Sequence, residues 1–478
     1  MVPSRLSTKF ALAGLLLLAG CGSLQRPDLP QTLPASFRGA SDGGAPAAPD
    51  FSPDLQGWWK AFSDPTLDAL VEQAMAQNLT LAQAISRLRQ ARLLSGRDGN
   101  QFKPTVNAAI QTVQDAAAVD SYFHAGIDAS WELGFYGAHD AVRRGADARV
   151  GLAAAGVQAA RVATVAEVVR RYLELQNARH DEAVLLQMLA LDERVLALQA
   201  VRQRTHTGSM DERHAVGLRQ RQTLGLLAAP RQAAAQAEQA LAVLVGQPVP
   251  DPAWRTATAT ALPALQPLVL QQVPTDLLRY RPDIRAAEAE VDKATGELGL
   301  ARAELYPRVV LGLSFLFAYN ITQNRRNVND NVPSFGPAID IPLFDWGRRR
   351  AAADAREEAL NATLLAYRQV VIQACGETET ALSALAQAGD RERHLEAVLG
   401  LAKRSLELQA TRLRLGLGSD VERLEAERVV LQAGGDLVDA RAARAQAFVA
   451  VYRSLGGAPL DTAAEGAGTV VGTAGLVP

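Results

Sequence analysis

Three punctuating residues return at nearly constant spacing along this 478-residue chain: Pro104 and Pro307 are 203 apart, Gly137 and Gly347 are 210 apart, and Gly208 and Gly416 are 208 apart. The pattern around them returns as well. In the first copy a helical stretch from about Asp64 to Gly96 leads to Pro104, an alternating strand, a turn near Gln114 to Asp120, a second strand ending near Trp131, and Gly137. A very long helical stretch then runs to Gly208. In the second copy Pro282 to Glu304, Pro307, strand, loop, strand, Gly347, long helix, Gly416 and final helix follow in the same order. Such self-similarity is the mark of an internal duplication, so the fold is two like units, each pairing long helices with one β-hairpin.

The hairpins alternate with period two. Phe123, Ala125, Ile127, Ala129, Trp131 and Leu133 share one face, against His124, Gly126, Asp128, Ser130 and Glu132 on the other. In the second copy Leu311, Leu313, Phe315 and Phe317 share a face, as do Pro337, Ile339, Ile341 and Leu343. The strand Thr105 to Gln114 alternates more weakly. Segments of about 10 residues with this period suit strands of an outer-membrane barrel, although a half-buried soluble sheet alternates in the same way. Four strands are too few to close a barrel with a lumen, for which about eight is the minimum. Three copies would supply twelve.

The N-terminus bears on the compartment. Arg5 and Lys9 precede the apolar run Phe10 to Leu18, too short to span a bilayer and shaped as the core of a secretory signal. It ends in Leu18-Ala19-Gly20-Cys21, which resembles the bacterial lipobox, in which Cys21 becomes the lipidated first residue of the mature chain. Gly22 after it leans towards outer-membrane delivery by analogy with such lipoproteins. Each buried acyl methylene contributes about 0.8 kcal/mol to anchoring. No transmembrane helix is expected after the signal, so any entry into a membrane is through strands.

Composition excludes other classes. Besides Cys21 there is only Cys375, so no intrachain disulfide is expected in the mature chain, and Cys375 is expected to be a buried small hydrophobe. A net charge of −2 spread along the chain argues against a nucleic-acid partner. The six histidines form no metal-ligand spacing, and no HExxH, GxSxG, Walker loop or dinucleotide fingerprint occurs. No enzyme activity, metal or cofactor is expected, apart from the covalent lipid on Cys21.

From about Ala138 to Thr205 and from about Arg348 to Arg412 the chain is rich in Ala, Leu, Glu, Arg and Gln with almost no Gly or Pro. At 1.5 Å per residue such a helix reaches about 100 Å, far beyond any bilayer. Apolar positions at spacings of three and four, as at Val162, Val165, Val169 and Tyr172, make a seam for neighbouring helices. Pro230 is expected to kink or break the return helix of the first copy. Thr207-Gly208-Ser209 and Leu415-Gly416-Leu417 close the long helices, and Ser or Asp caps start the next ones. Both corners are expected at the same end of the molecule, where they would form the far mouth of a tube.

The chain resembles the outer membrane factors of the TolC-like superfamily and, within them, the NodT-type efflux lipoproteins. The residues that carry this are Trp58-Trp59-Lys60-Ala61-Phe62-Ser63-Asp64-Pro65, Ser130-Trp131-Glu132-Leu133, Asp276-Leu277-Leu278 with Arg281-Pro282-Asp283-Ile284, Tyr306-Pro307, Ile341-Pro342-Leu343-Phe344-Asp345-Trp346-Gly347, and Arg412 with Gly416. The resemblance implies a mainly α fold with a small β part. A homotrimer would form a 12-stranded β-barrel in the outer membrane, continuing into a 12-helix periplasmic tunnel. It implies a passive duct for drugs or other small molecules, joined to a periplasmic adaptor protein and an inner-membrane pump, with outer-membrane lipids around it. A type I protein-secretion duct and a lipid-anchored periplasmic scaffold without a pore are the alternatives.

On this reading residues 1–20 are the signal peptide with its lipobox and 21–60 the lipidated N-terminal segment. Residues 61–246 are the first repeat (hairpin 105–133, tip near 208), 247–275 an equatorial linker, 276–457 the second repeat (hairpin 308–343, tip near 416) and 458–478 a low-complexity tail. The resemblance also implies that acidic residues just after the second tip help hold the closed mouth. Counting from Gly416 these are Glu422 and Glu425, one helical turn apart, whereas His214 stands at the position counted from Gly208. Adaptor docking is expected at Thr207, Gly208, Ser209, Leu415, Gly416 and Leu417.

Overall fold

A computed structural model of the chain describes residues 25, 27–29, 55–114, 121–256, 281–320 and 332–457. The expected signal peptide, Cys21, most of the expected linker, Asp276 to Leu278, the expected tail, and residues 115–120 and 321–331 lie outside the described residues. The elements are α1 (Pro65–Gln77), α2 (Leu79–Gly99), β1 (Thr105–Gln114), β2 (Ser121–Glu132), α3 (Ala138–Arg204), α4 (Met210–Leu226), α5 (Ala228–Leu244), α6 (Ala253–Thr256), α7 (Pro282–Ala303), β3 (Arg308–Asn320), β4 (Val332–Asp340), α8 (Arg348–Arg414) and α9 (Asp420–Ser454). The fold is mainly helical with one small sheet. Helices α3 and α8 are each 67 residues long and start and stop 210 residues apart.

The chain divides into two compact units, each drawing on both copies of the repeat. The first takes Met1–Gln31, Ser86–Ala155 and Asp283–Val370. Its sheet is antiparallel throughout in the order β1-β2-β3-β4. The central pairing, β2 on β3, joins the hairpins of the two copies, with Ile127 opposite Phe315 and Trp131 opposite Leu311. Strand β4 stops at Asp340, short of the expected 343; Ile341–Phe344 continue unpaired, and Pro342 in that run has no N–H to give a ladder. Pro333 and Pro337 sit within β4, an edge strand that among the described residues pairs only with β3. Helices α3 and α7 approach closely at Gly296, where a Cβ would lie 2.7 Å from the carbonyl oxygen of Ala141. Ion pairs Arg149–Asp98, Arg356–Glu297 and Arg302–Glu357 brace the neighbouring helical turns.

The second unit takes Thr32–Ile85, Gly156–Pro282 and Val371–Pro478. Its core is built on the tract Trp58 to Asp64. Trp58 stacks on Tyr452 and donates through Nε1 to the Gly457 carbonyl, while Phe62 packs edge-on against Phe448. Asp64 caps α1 by accepting from Thr66 N, with Pro65 at the first helical position, and also accepts from the Tyr172 hydroxyl. Arg281 is buried and donates to the Ser454 carbonyl and to Glu377, so it neutralises the end of α9 and ties it to α8. An 18-residue window of α3 is apolar enough to cross a membrane, but more than half of it is buried. Val165, Val168, Val169 and Leu173 are fully enclosed in the core, so the stretch is a helix seam.

The return helix breaks at Leu227, three residues before Pro230. A proline ring clashes with the carbonyl of the preceding turn, which explains why the break falls upstream of it. Cys375 is half-buried rather than buried, and burial pushes its thiol up.

Candidate channel wall and helix-tip site

Along the sheet the registers bring the main apolar rows of the four strands to one side. Val106, Ala108 and Ile110 of β1 lie opposite Ala129, Ile127 and Ala125 of β2, which face Leu313, Phe315 and Phe317 of β3. Leu313, Leu311 and Val309 then pair with Phe335, Pro337 and Ile339 of β4. This face is uncovered: Ile110 is 74% exposed, Phe335 77% and Ile339 58%. The opposite face carries the polar contacts, with Ser314 donating to Asp128, Thr105 against Ser130, and Arg308 near Glu132, beside Val310 and Leu316. Among the described residues neither outer edge of the sheet is paired. An exposed four-strand apolar face exceeds what a protein leaves in water without a partner; facing lipid it is the solvent-matched side, and the polar side would line a lumen.

The two helix tips close with one backbone geometry. Thr207 N donates to Arg202 O, and Leu417 N to Arg412 O, both at 2.8 Å. The left-handed residue is His206 (φ 57°) in the first tip and Gly416 (φ 70°) in the second. This is a Schellman-type close, and it sets the repeat register at 210 rather than 208. Gly208 therefore matches Gly418, and both lie against the Cβ of an arginine, Arg202 and Arg412. Glu422 matches Glu212, not His214, and Glu425 matches Ala215. The sequence landmark misled because a histidine, not a glycine, takes the αL position in the first copy.

Ser209 and Ser419 cap the return helices; Ser419 accepts from Glu422 N while the Glu422 carboxylate accepts from Ser419 N, a capping box. Thr207, Gly208, Ser209, Leu415, Gly416 and Leu417 thus form the two corners. Glu425 accepts both guanidinium arms of Arg219 at 2.8 Å. Arg219 also reaches Asp192, whose side chain is fully buried and accepts from Arg428 as well. The Glu425 contact first, and Asp192 after it, hold the Arg219 guanidinium more firmly charged. Leu191, Val195, Val216 and Leu424 pack beside these charges. Asp192, Arg219 and Arg428 escape a reading of the sequence; its one trace of them is a carboxylate inside the apolar seam Leu189, Leu191, Val195.

A second carboxylate site links α3 and α9. Asn177 donates to both Asp181 and Asp439, and burial together with the charge of Asp439 pushes the Asp181 carboxyl up to about 6. Among the described residues no group of three metal-type side chains is assembled.

The family model for outer membrane efflux proteins matches residues 273–457. Across 93% of the chain and 96% of the relative, the sequence is 30% identical to the pyoverdine export outer membrane protein OpmQ of Pseudomonas aeruginosa. The chain is a member of the outer membrane efflux protein family. This efflux protein is also 28% identical to nodulation protein T of Rhizobium leguminosarum bv. trifolii, over 86% of the chain and 89% of that protein. Among solved structures it superposes on the outer-membrane channel OprN with a TM-score of 0.77 at 29% identity, covering 91% of the chain and 99% of OprN. The open state of the Neisseria gonorrhoeae MtrE outer membrane channel gives a TM-score of 0.77 at 25% identity, over 91% and 98%. The efflux protein is thus an outer-membrane component of an efflux system.

Proposed function

We propose that three copies close a 12-stranded barrel that continues into a 12-helix tunnel and serves as a passive exit duct for small molecules. The observation that carries this is the sheet: one largely apolar, uncovered face, one more polar face and, among the described residues, two unpaired edges. Open edges are not tolerated in lipid, so the sheet must close on other copies. Two copies would give eight strands, whose interior is filled by side chains; three leave a lumen. The relatives named for pyoverdine export and for toluene efflux support small-molecule cargo. No catalytic step is required, because the energy comes from an inner-membrane pump.

The corners Thr207–Ser209 and Leu415–Leu417 are the surfaces offered to a periplasmic adaptor, and an acylated Cys21 anchors the mature N-terminus to the membrane. Repeats at 61–246 and 276–457 with a linker at 247–275 fit this assembly. Glu425 holds α9 against α4 through Arg219, and Glu422 holds the start of α9, so both restrain the mouth.

The test is the conductance of purified, detergent-extracted protein in a planar bilayer, beside Glu422→Ala/Glu425→Ala. A small conductance that rises on substitution supports a duct restrained at the tip. An unchanged conductance removes these two residues from the gate. Absence of conductance in both preparations overturns the duct in favour of a scaffold. Mass analysis of the mature N-terminal peptide, with Cys21→Ser for comparison, tests the lipid.

A further inference from the structure

The two strand-to-helix junctions share a backbone and differ in what their side chains touch. Tyr136–Gly137 and Trp346–Gly347 both adopt left-handed conformations, φ 56° and 80° in the first, 56° and 79° in the second. For a residue other than glycine this costs on the order of 1 kcal/mol. In the first junction the strained aromatic is used within the protomer: Tyr136 stacks on Tyr306 at 4.8 Å. In the second, Trp346 is 90% exposed and its only ring neighbour among the described residues is Phe344, itself 76% exposed. Leu343, 89% exposed, prolongs the row Phe335, Pro337, Ile339, Ile341 beyond the last paired residue of β4. The apolar face of the sheet therefore continues into this junction.

Directly after it come Arg348, Arg349 and Arg350, where the first copy has Ala138, His139 and Asp140. Three cations in the first turn oppose the helix dipole, and α8 has no acidic residue there. Asp345 caps the helix through Gly347 N and Arg349 N and lies 3.9 Å from the Arg349 guanidinium. Arg348 and Arg350 are exposed, and neither has an ion-pair partner among the described residues. Aromatic side chains at the edge of an apolar band, followed by unpaired arginines, match a boundary between acyl chains and negatively charged headgroups.

We propose that Leu343, Phe344 and Trp346 with Arg348 and Arg350 form a binding surface for anionic phospholipid in the leaflet on the helical side of the barrel. The aromatic rings seat among the upper acyl chains, and the two guanidinium groups take the headgroup phosphates. The surface rests on the outer-membrane barrel reading above.

The experiment uses the full chain, purified in detergent and transferred to bilayer discs of phosphatidylethanolamine containing a minority of phosphatidylglycerol. Lipid retained on re-extraction is quantified by mass spectrometry. Arg348→Gln/Arg350→Gln is the test variant and Arg356→Gln, whose arginine pairs with Glu297, is the control. Wild type and control are expected to be enriched in phosphatidylglycerol, and the double variant to lose on the order of tenfold of that enrichment. Equal enrichment in the double variant, or none in wild type, overturns the proposal. So does loss of the oligomer in the double variant with lipid retention unaltered, since the surface would then contact a second copy. Displacement of the lipid by millimolar inorganic phosphate also overturns it, because a free anion would suffice. Planar-bilayer conductance separates the two readings: a preparation that conducts without enrichment keeps the duct and loses this surface, and the reverse result does the opposite.

Discussion

The two copies of the repeat have kept one backbone and parted company in their charges. Their long helices have equal length and their tips close through equivalent hydrogen bonds, yet the ionic network beside the tips, which joins Asp192 and Arg219 of the first copy to Glu425 and Arg428 of the second, is not repeated at the equivalent positions. In the 210 register Asp192 corresponds to Ala402, Arg219 to Val429, Glu425 to Ala215 and Arg428 to Leu218. Ala402 is buried, whereas Val429 and Leu218 are exposed. The charged members thus face one another across one seam, while the apolar twins of Arg219 and Arg428 sit on a surface left uncovered in the single chain and the twin of Asp192 is enclosed without a charge. Backbone geometry survives duplication because caps and turns are local. Charge pairing does not, because the two seams of a protomer meet different neighbours.

The largest effect is expected at Asp192. Asp192→Ala leaves Arg428 without its carboxylate in a nearly dry site, which should lower stability by about 3 kcal/mol, read as a fall in the denaturation midpoint of the detergent-solubilised protein. The matching change Ala402→Ser should shift that midpoint far less; a comparable loss at both positions would break the asymmetry. Next is Arg219→Ala, which releases Glu425 and Asp192 together. Conductance should rise more than in Glu425→Ala alone, because the second substitution leaves Arg219 held by Asp192.

The pair Asp181 and Asp439 sharpens the comparison through pH. A carboxyl whose folded-state pKa lies above its unfolded value of about 3.9 binds its proton more tightly when folded. Its contribution is present below the unfolded value and lost as pH rises through about 6. The thermal midpoint should therefore decline between about pH 4 and pH 6, and Asp439→Asn should flatten that slope; a slope unchanged by the substitution would assign it to other groups. The smallest effects belong to the caps. Ser419→Ala should cost about 1 kcal/mol and Ser209→Ala less, since only Ser419 carries the reciprocal Glu422 contact. Equal losses would mean that the box adds nothing.

Much of the fold is legible in the sequence because its periods are strong. The alternation from Phe123 to Leu133 and from Leu311 to Phe317 marks strands that do form, and the Gly- and Pro-poor stretches become α3 and α8. Landmarks were weaker guides where two residue types can fill one backbone position: the αL site is His206 in one tip and Gly416 in the other, and a two-residue slip in register followed. Of the ionic network the sequence pointed to Glu425 alone, and not to its partners. The network's members lie on α3, α4 and α9, and Asp192 meets Arg428 across 236 residues of chain, a separation over which no spacing rule operates. The motif Trp58 to Asp64 was read as a family mark, whereas its physical work is to fill the core between Phe448, Tyr452 and Tyr172.

The pairing of β2 with β3 has a bearing on how the molecule is made. Tyr122 meets Asn320 and Glu132 meets Val310, so the middle of the sheet waits for residues synthesised long after the first hairpin. An isolated two-stranded hairpin is marginal in water, and contacts so distant along the chain form slowly. The first hairpin is therefore made with Phe123, Ile127 and Trp131 unmatched by their β3 partners. The helices, whose contacts begin locally, are the part of the chain free to form first.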